Sequence, residues 1–487
     1  MMRGTFRSVA PAALLLVGLA ATSASAVDEA TRRLVFSDDW RERWDACAPL
    51  GREDTAEAAR LLVRLLKDED SQVRDAAVRE CGQLHAEGAG AVLIGALGQG
   101  TPLTRRNVAA ALGRTRLKSG VEALGKAARG DPDAAVRAEA VDALHWFGHD
   151  PRALPICVDA VRDRDPLVRA TAAFAASKQR ENSGRDVVLA AFRDAHEGVR
   201  AAALGSLWGA DVRVALAEAA NDASWRVRTQ CATAALGTRS VEGMDVLMKL
   251  VGDPRGRVAA TAAHALRLLT QKDFGRDAEV WGAWWTQNRA KWTAPKGDLS
   301  DPRTSDGPGT RARFMGVEVE GEGTAFVLDA SASMNEPASG GGTRADLVRG
   351  ELTATLAALP DGHRVNVVYF ADGVRTAFER ALPLSSSTRT TLAKFLRGQS
   401  PEGETNFYAG VSRALADDGV DAICVLSDGA PTRGEVCSSS RVRELVERTN
   451  RLRRVTIHTV GIASGTADDR DFLRGLADDN GGRCVLR

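Results

Sequence analysis

A short motif that returns about every 31 residues constrains the fold of the first half of this chain. Val-Arg pairs occur at Val73-Arg74, Val136-Arg137, Val168-Arg169, Val199-Arg200 and Val227-Arg228, with degenerate copies near Arg43, Arg105 and Val258. Each pair opens an Ala-rich stretch and follows an acidic turn such as DED or DRDP. A period of about 20 to 50 residues is typical of solenoids, because one unit buries its apolar face only against its neighbours. The sequence therefore predicts an all-α solenoid over residues 27–292.

The repeats resemble HEAT-like repeats, including the short class of the phycobilisome lyases, over most of residues 31–270 in about eight units. That resemblance implies a ladder of repeated Asp and Arg side chains, so we interpret the Val-Arg arginines as structural. Four tryptophans then follow with helical spacing: Trp281, Trp284, Trp285 and Trp292. We expect them to seal the last repeat. An exposed aromatic patch that grips carbohydrate or protein is the alternative.

Five oxygen donors near the C-terminus carry the chemistry of the second half: Asp329, Ser331, Ser333, Thr405 and Asp428. The apolar runs TAFVL and DAICVL, which precede two of them, are typical of buried parallel strands. Ligands of open α/β sheets bind outside the carboxyl ends of the strands. Hard cations such as Mg²⁺ prefer oxygen ligands. The sequence therefore predicts a divalent metal site at one edge of a sheet.

The three-loop pattern of D-x-S-x-S, a Thr and an Asp resembles the metal-ion-dependent adhesion site of the von Willebrand factor type A family. The resemblance implies an α/β, Rossmann-like, doubly wound domain over residues 314–487. It also implies that Ser331, Ser333 and Thr405 ligate Mg²⁺, Mn²⁺ or Ca²⁺ through their hydroxyls. Asp329 and Asp428 then bind directly or through water, and one position stays open for an acidic group of a partner. Ala332 stands where the family usually has glycine.

The pattern of the C-terminal region alternates strands and helices, which predicts a mostly parallel sheet covered on both faces. We expect strands at TAFVL, Arg364–Phe370, DAICVL, Val455–Ile462 and RCVLR, and helices at Arg344–Leu359, Asn406–Ala416, Val442–Leu452 and Asp471–Ala477. Residues 293–313 are rich in Pro, Gly, Ser and Asp and are typical of a linker. We therefore expect two cores that fold separately.

The N-terminus predicts export. Arg3 and Arg7 precede the apolar run Val9–Ala20, and Ala24-Ser25-Ala26 offers a cleavage site before Val27, so residues 1–26 are typical of a signal peptide. The remaining sequence has no apolar run of the roughly 18 residues that a membrane helix needs. We expect a periplasmic or extracellular protein with no membrane span after cleavage.

Charge and motifs disfavour several classes of function. Cleavage removes Arg3 and Arg7 from the 65 basic residues and none of the 64 acidic ones, so a formal charge of −1 offers no field for nucleic acid. The seven cysteines form no C-x-x-C pair, although a Cys437–Cys484 disulfide is one option. No nucleophile-elbow G-x-S-x-G surrounds Ser331 or Ser333, so we expect no enzyme activity.

These patterns predict an exported, non-enzymatic binding or adhesion protein. Its metal would capture an exposed acidic residue of a protein partner, and the solenoid would serve as scaffold. The alternative is an accessory subunit that assembles or remodels an enzyme complex. A chromophore lyase, suggested by the repeats, lacks an evident site and does not fit the predicted export.

Overall fold

The computed structural model describes residues 27–179, 183–297, 299, 312–463 and 465–487. The predicted signal peptide and most of the predicted linker lie outside these residues. No helix in the described part of the chain is both long and apolar enough to cross a bilayer. The seven cysteines all fall within the described ranges, and each is a free thiol.

The described residues between 27 and 288 form the predicted solenoid of antiparallel helices. The helices are α1 Glu29–Val35, α2 Trp40–Glu53, α3 Ala56–Leu65, α4 Ser71–Cys81, α5 Glu87–Ala96, α6 Pro102–Thr115, α7 Gly120–Gly130, α8 Ala134–Asp142, α9 Ala153–Ala160, α10 Pro166–Ser177, α11 Arg185–Phe192, α12 Glu197–Ser206, α13 Gly209–Ala219, α14 Trp225–Thr238, α15 Val241–Leu250, α16 Gly256–Thr270 and α17 Ala278–Asn288. The Val-Arg motif lies at the start of even-numbered helices from α4 onward. Their alanines are buried in one continuous core, since small side chains let neighbouring helices approach closely.

The repeated arginines form the predicted ladder. Each of six arginines makes two hydrogen bonds of 2.6 to 3.1 Å with an aspartate 22 to 26 residues later: Arg43 with Asp68, Arg105 with Asp131, Arg137 with Asp163, Arg169 with Asp194, Arg200 with Asp222, and Arg228 with Asp253. The remaining guanidinium nitrogen donates to carbonyls of the turn before its own helix. Each paired arginine therefore ties one repeat to the next, and only Arg74 among the Val-Arg set departs from this arrangement.

The tryptophan cluster packs against the solenoid, as expected of an end cap. Trp281 and Trp285 on α17 are buried in the solenoid core. The Trp285 indole donates to Asp245 at 2.7 Å, and the Trp281 indole donates to the Gly275 carbonyl at 3.1 Å. Both buried N–H groups are thereby satisfied, which favours a structural role for this helix.

The C-terminal residues form the predicted α/β domain. Its strands are β1 Arg313–Phe314, β2 Val317–Glu318, β3 Gly323–Asp329, β4 Arg364–Phe370, β5 Val374–Thr376, β6 Leu382–Pro383, β7 Ala422–Ser427, β8 Thr456–Gly461 and β9 Cys484–Leu486. The main sheet has the order β5-β4-β3-β7-β8-β9, with β6 also paired to β4. Strands β4, β3, β7, β8 and β9 are parallel, whereas β5 and β6 run antiparallel to β4. The five predicted strands are confirmed.

Helices cover both faces of the sheet, which is the doubly wound arrangement. They are α18 Arg344–Ala358, α19 Ser386–Arg397, α20 Phe407–Leu415, α21 Ser439–Arg453 and α22 Ala467–Asp479. Apolar residues of α18 and α19 fill one core, and those of α20, α21 and α22 fill the other. Helix α21 begins three residues before the predicted Val442, and α19 is a helix that the sequence did not predict.

Helix α21 joins the α/β domain to the solenoid through buried ion pairs. Arg441 and Arg448 both donate to Glu139 of α8, at 2.5 and 2.8 Å, and Arg448 also donates to Asp142 at 2.9 Å. The side chains of Glu139, Arg441 and Arg448 are 3%, 6% and 4% exposed. Burial alone would raise the pKa of Glu139, but the two guanidinium groups outweigh it and hold that pKa well below its usual range. The linker composition did not predict this charged contact.

Glu139→Gln is expected to destabilise the native chain by about 3 kcal/mol, because it leaves two buried guanidinium groups without a full counter-charge. Chemical denaturation monitored by circular dichroism measures this change. The matched control is Asp159→Asn, which breaks an ion pair in the same solenoid whose partners are 49% and 50% exposed. That control should cost less than about 1 kcal/mol. Equal costs for the two variants would contradict the assignment of Glu139 as a buried anchor.

The stability difference between wild type and Glu139→Gln should also depend on pH. A carboxylate whose pKa is lowered in the native state adds stability above its unfolded pKa of about 4.3, and that contribution is lost as the pH falls further. The stability difference between wild type and Glu139→Gln should therefore be full at pH 7 and shrink progressively below about pH 4.3. A difference that grows on acidification would contradict the lowered pKa.

Candidate metal centre

The five predicted donors lie on three loops at the carboxyl edge of the sheet. Asp329 ends β3, the central strand, and Ser427 ends its neighbour β7, one residue before Asp428. From β3 the chain passes to β4 on one side and later to β7 on the other, so the loops diverge and leave a crevice between them. Open α/β sheets bind ligands at such a switch point.

A continuous row of polar atoms connects the first loop to the third. The Ser333 hydroxyl donates to Asp428 Oδ1 at 2.9 Å, and Ser331 Oγ lies 3.0 Å from Ser333 Oγ. Because the single Ser333 hydroxyl hydrogen is directed to Asp428, Ser331 is the donor in the second bond. The structure therefore brings Ser331, Ser333 and Asp428 together.

Asp329 lies behind this row and is almost completely buried. Its Oδ1 accepts the Ser331 amide at 2.8 Å, and its Oδ2 accepts the Ser427 hydroxyl at 2.6 Å. Burial raises the pKa of Asp329 to about 6, against the lowering effect of the Ser331 and Ser427 hydrogen bonds and together with the nearby charge of Asp428. A buried carboxylate with this balance is stabilised by a cation.

Backbone hydrogen bonds connect the second loop to both of the others. The Ala332 amide donates to the Gly403 carbonyl at 3.0 Å, so alanine in place of the usual glycine still joins the first and second loops. The Thr405 amide donates to Thr432 Oγ1 at 3.0 Å, and the Thr432 amide donates back to the Thr405 carbonyl at 3.1 Å. Thr405 is buried in this position. All three loops are thereby held at one edge of the sheet.

The donor set fits a small, hard cation. Adjacent ligands of an octahedral Mg²⁺ with bonds near 2.1 Å lie roughly 3.0 Å apart. The two successive oxygen separations in the serine and aspartate row are 3.0 and 2.9 Å. Among the described residues, no three His, Cys, Asp or Glu side chains cluster in a way that would hold a metal. Two carboxylates with three hydroxyls suit Mg²⁺ or Mn²⁺.

The sequence patterns did not predict two further residues that contact the proposed ligands, one through a hydroxyl and one through a guanidinium. The Ser427 hydroxyl donates a hydrogen bond to the Asp329 carboxylate. Arg344, the first residue of α18, donates to Asp428 Oδ2 at 2.7 Å. Arg344 also pairs with Glu336 at 2.6 Å, and its side chain is 14% exposed. The strand end VLS and the helix start R-A-D-L carry no local pattern that indicates these roles.

Comparisons with known proteins agree with the architecture. The family profile of HEAT repeats matches residues 27–113, 91–156 and 121–208, and the profile of the von Willebrand factor type A domain matches residues 324–486. No curated protein sequence matches the chain significantly.

Solved structures show distant likeness to each region. A von Willebrand factor type A protein from Catenulispora acidiphila is 17% identical over 35% of this chain and 40% of its own, with a TM-score of 0.29. An aerotolerance-related membrane protein from Bacteroides fragilis, carrying multiple mutations to serine, is 16% identical over 34% of this chain and 90% of its own, with a TM-score of 0.26. A phycocyanin lyase complex from Nostoc is 17% identical over 47% of this chain and 94% of its own, with a TM-score of 0.29. This chain thus spans about two fifths of the first of these structures.

Arg344→Gln is expected to strengthen Mg²⁺ binding about tenfold, because a guanidinium beside Asp428 repels a second cation and occupies one carboxylate oxygen. Isothermal titration calorimetry with MgCl₂ measures the affinity. The control is Arg389→Gln, whose guanidinium binds the carbonyls of Leu356 and Leu359 at the opposite end of α18. An unchanged affinity in Arg344→Gln, or an equal gain in the control, would contradict this role.

Proposed function

This chain carries HEAT repeats and a C-terminal von Willebrand factor type A domain, and from that premise we propose that it is an exported, non-enzymatic binding protein. Both modules are typical of protein interaction, which makes the chain a protein-interaction scaffold in general terms. The specific proposal is that the α/β domain captures an acidic group of a protein partner through a divalent metal. The proposed ligands are Asp329, Ser331, Ser333, Thr405 and Asp428.

One observation carries the proposal. The hydroxyls of Ser331 and Ser333 and the carboxylate of Asp428 form a hydrogen-bonded row, with oxygen separations of 3.0 and 2.9 Å, at the carboxyl edge of the sheet. These residues come from loops that are 95 positions apart in sequence, so local turn chemistry alone does not account for their convergence. The buried Asp329 carboxylate behind the row supports a cation at the same place.

The composition of the ligand set explains the preference for an acidic partner. Only two of the five ligands are anionic, so a bound divalent cation would keep Lewis acidity and an open position for a carboxylate oxygen. Arg344 adds a positive charge beside Asp428. A partner carboxylate would thus meet both the metal and a guanidinium, which favours an acidic group over a neutral one.

Export is part of the proposal and is supported by the signal-like residues 1–26. We expect the mature protein to begin at Val27, as judged by intact mass and N-terminal sequencing of protein recovered from the producing cells. A mature chain that retains Arg3 and Arg7 would contradict export by this signal.

Mg²⁺ at 100 times its dissociation constant should stabilise the native chain by about 2.7 kcal/mol if the unfolded chain does not bind it. For a domain of this size, the midpoint of thermal unfolding should rise by about 5 to 10 °C. Differential scanning fluorimetry with and without MgCl₂ measures the rise. Asp329→Ala and Asp428→Ala should abolish it, because each removes one of the two carboxylates.

The matched control is Asp471→Ala, a 73% exposed carboxylate on α22. It should leave the thermal rise unchanged. An immobilised acidic peptide tests the capture step: the wild-type chain should bind it with Mg²⁺ present and release it with EDTA. Equal thermal rises in wild type and both ligand variants would refute the metal site, whereas a rise without peptide binding would refute only the acidic partner.

A further inference from the structure

Arg74 is the Val-Arg arginine that leaves the ladder. In the ladder, the aspartate stands two residues before the N-cap residue of a following helix, and for Arg74 that position is Gln99. Without a carboxylate there, the buried Arg74 Nε has no hydrogen-bond partner among the described residues. Its Nη2 instead donates to the carbonyls of Gly434 and Glu435, at 2.9 and 3.1 Å. The missing ladder partner thus directs this guanidinium to the α/β domain.

The next residue, Asp75, also contacts the α/β domain. Its Oδ2 accepts the amides of Cys437 at 2.7 Å and Ser438 at 2.6 Å. The Ser438 side chain makes no cap hydrogen bond to α21, so this solenoid carboxylate satisfies amides at the helix N-terminus. A negative charge there is also favoured by the helix dipole. The other four Val-Arg pairs are followed by a small buried residue at the position of Asp75: Ala138, Ala170, Ala201 and Thr229.

The segment that Arg74 and Asp75 hold is the loop from Asp428 to α21, residues 428–438, which we name the Asp428 loop. Midway along it, Thr432 forms the two hydrogen bonds with Thr405 described above, one through its hydroxyl and one through its amide. The Gln72 side chain, from the same solenoid helix, donates to the Thr432 carbonyl at 3.3 Å. Arg106 of α6 pairs with Glu435. The solenoid therefore contacts the one loop that carries Asp428 and braces Thr405.

Close packing leaves the Asp428 loop little freedom to shift on its own. Gly434 has φ of 120°, and a Cβ at this position would lie 2.2 Å from Asn406 Oδ1 on the second metal-site loop. At the far end, α21 is fixed by the buried Glu139 ion pairs. A change in the position of the solenoid relative to the α/β domain must therefore shift the Asp428 loop.

We propose that Arg74 and Asp75 are positioning residues of the metal centre, so that the solenoid completes a site whose ligands all belong to the α/β domain. This inference rests on the proposed metal-binding function. By thermodynamic linkage, docking that favours the metal-binding arrangement must itself be favoured by the metal. The solenoid is then part of the binding machinery in addition to any scaffold role.

The test measures the Mg²⁺ affinity of the full chain and its variants by isothermal titration calorimetry, with the unfolding midpoint recorded for each. Asp75→Ala should bind Mg²⁺ about tenfold more weakly, because it frees the N-terminus of α21. Asp75→Asn should recover part of the loss, since its carboxamide oxygen still accepts from an amide. The control Asp245→Ala removes a solenoid carboxylate that accepts from Trp285 and Arg289 at the end cap, away from α21, and it should lower the unfolding midpoint with Mg²⁺ affinity unchanged.

A second variant tests the same proposal by adding an ion pair to the ladder, so it does not depend on destabilising the protein. Gln99→Asp restores the missing carboxylate at an exposed position, where it should draw Arg74 into the ladder and away from Gly434. Its unfolding midpoint should stay or rise while Mg²⁺ affinity falls. A purely structural role for Arg74 would not move the two measurements in opposite directions.

The outcomes separate the inference from the function on which it rests. Absence of Mg²⁺ binding by the wild-type chain refutes the proposed function and this inference with it. Binding by the wild type that is unchanged in a folded Asp75→Ala refutes the inference alone. If Asp75→Ala does not fold, Gln99→Asp decides, and unchanged affinity in that folded variant refutes the positioning role.

Discussion

The buried charge set between α21 and the solenoid is the interaction on which the arrangement of this protein depends. Glu139 of the solenoid accepts from both Arg441 and Arg448, and the three side chains are almost fully excluded from solvent. Buried charges tolerate little displacement, because separation leaves each of them unpaired in a low dielectric. This geometry holds α21 in place, and α21 is also part of the core on one face of the sheet.

The arginine ladder of the solenoid and a row of arginines on α21 therefore meet at α21. The arginine ladder sets the spacing of the Val-Arg helices, and those helices present Asp75, Glu139 and Asp142 to successive turns of α21 and its N-terminus. On α21, Arg441, Arg448 and Arg451 recur at helical spacing on the side away from the sheet core. Contacts with the solenoid thus position α21 and the loop before it, which begins at Asp428.

Local patterns predicted the five parallel strands and the loops on which the five candidate donors lie. The strand runs TAFVL and DAICVL ended at Asp329 and Ser427 as expected, because buried parallel strands leave continuous apolar runs. Arg344 and Ser427 were missed, since a rim guanidinium and a single hydroxyl leave no periodic signal. The contact between Asp75 and Ser438 joins residues 363 positions apart, so no local pattern encodes it. Its one sign in the sequence is a charged residue after Val73-Arg74, where the other Val-Arg pairs are followed by Ala or Thr.

Hydrogen exchange of the full chain with and without Mg²⁺ tests most directly whether the solenoid and the metal centre are one coupled unit. The amides of Cys437 and Ser438 donate to Asp75, so their exchange reports on the contact itself. Coupling of the two predicts that Mg²⁺ slows exchange both in the segment 434–440 and in the solenoid segment 68–78. Slower exchange confined to the three metal-site loops, with segments 434–440 and 68–78 unchanged, would contradict it.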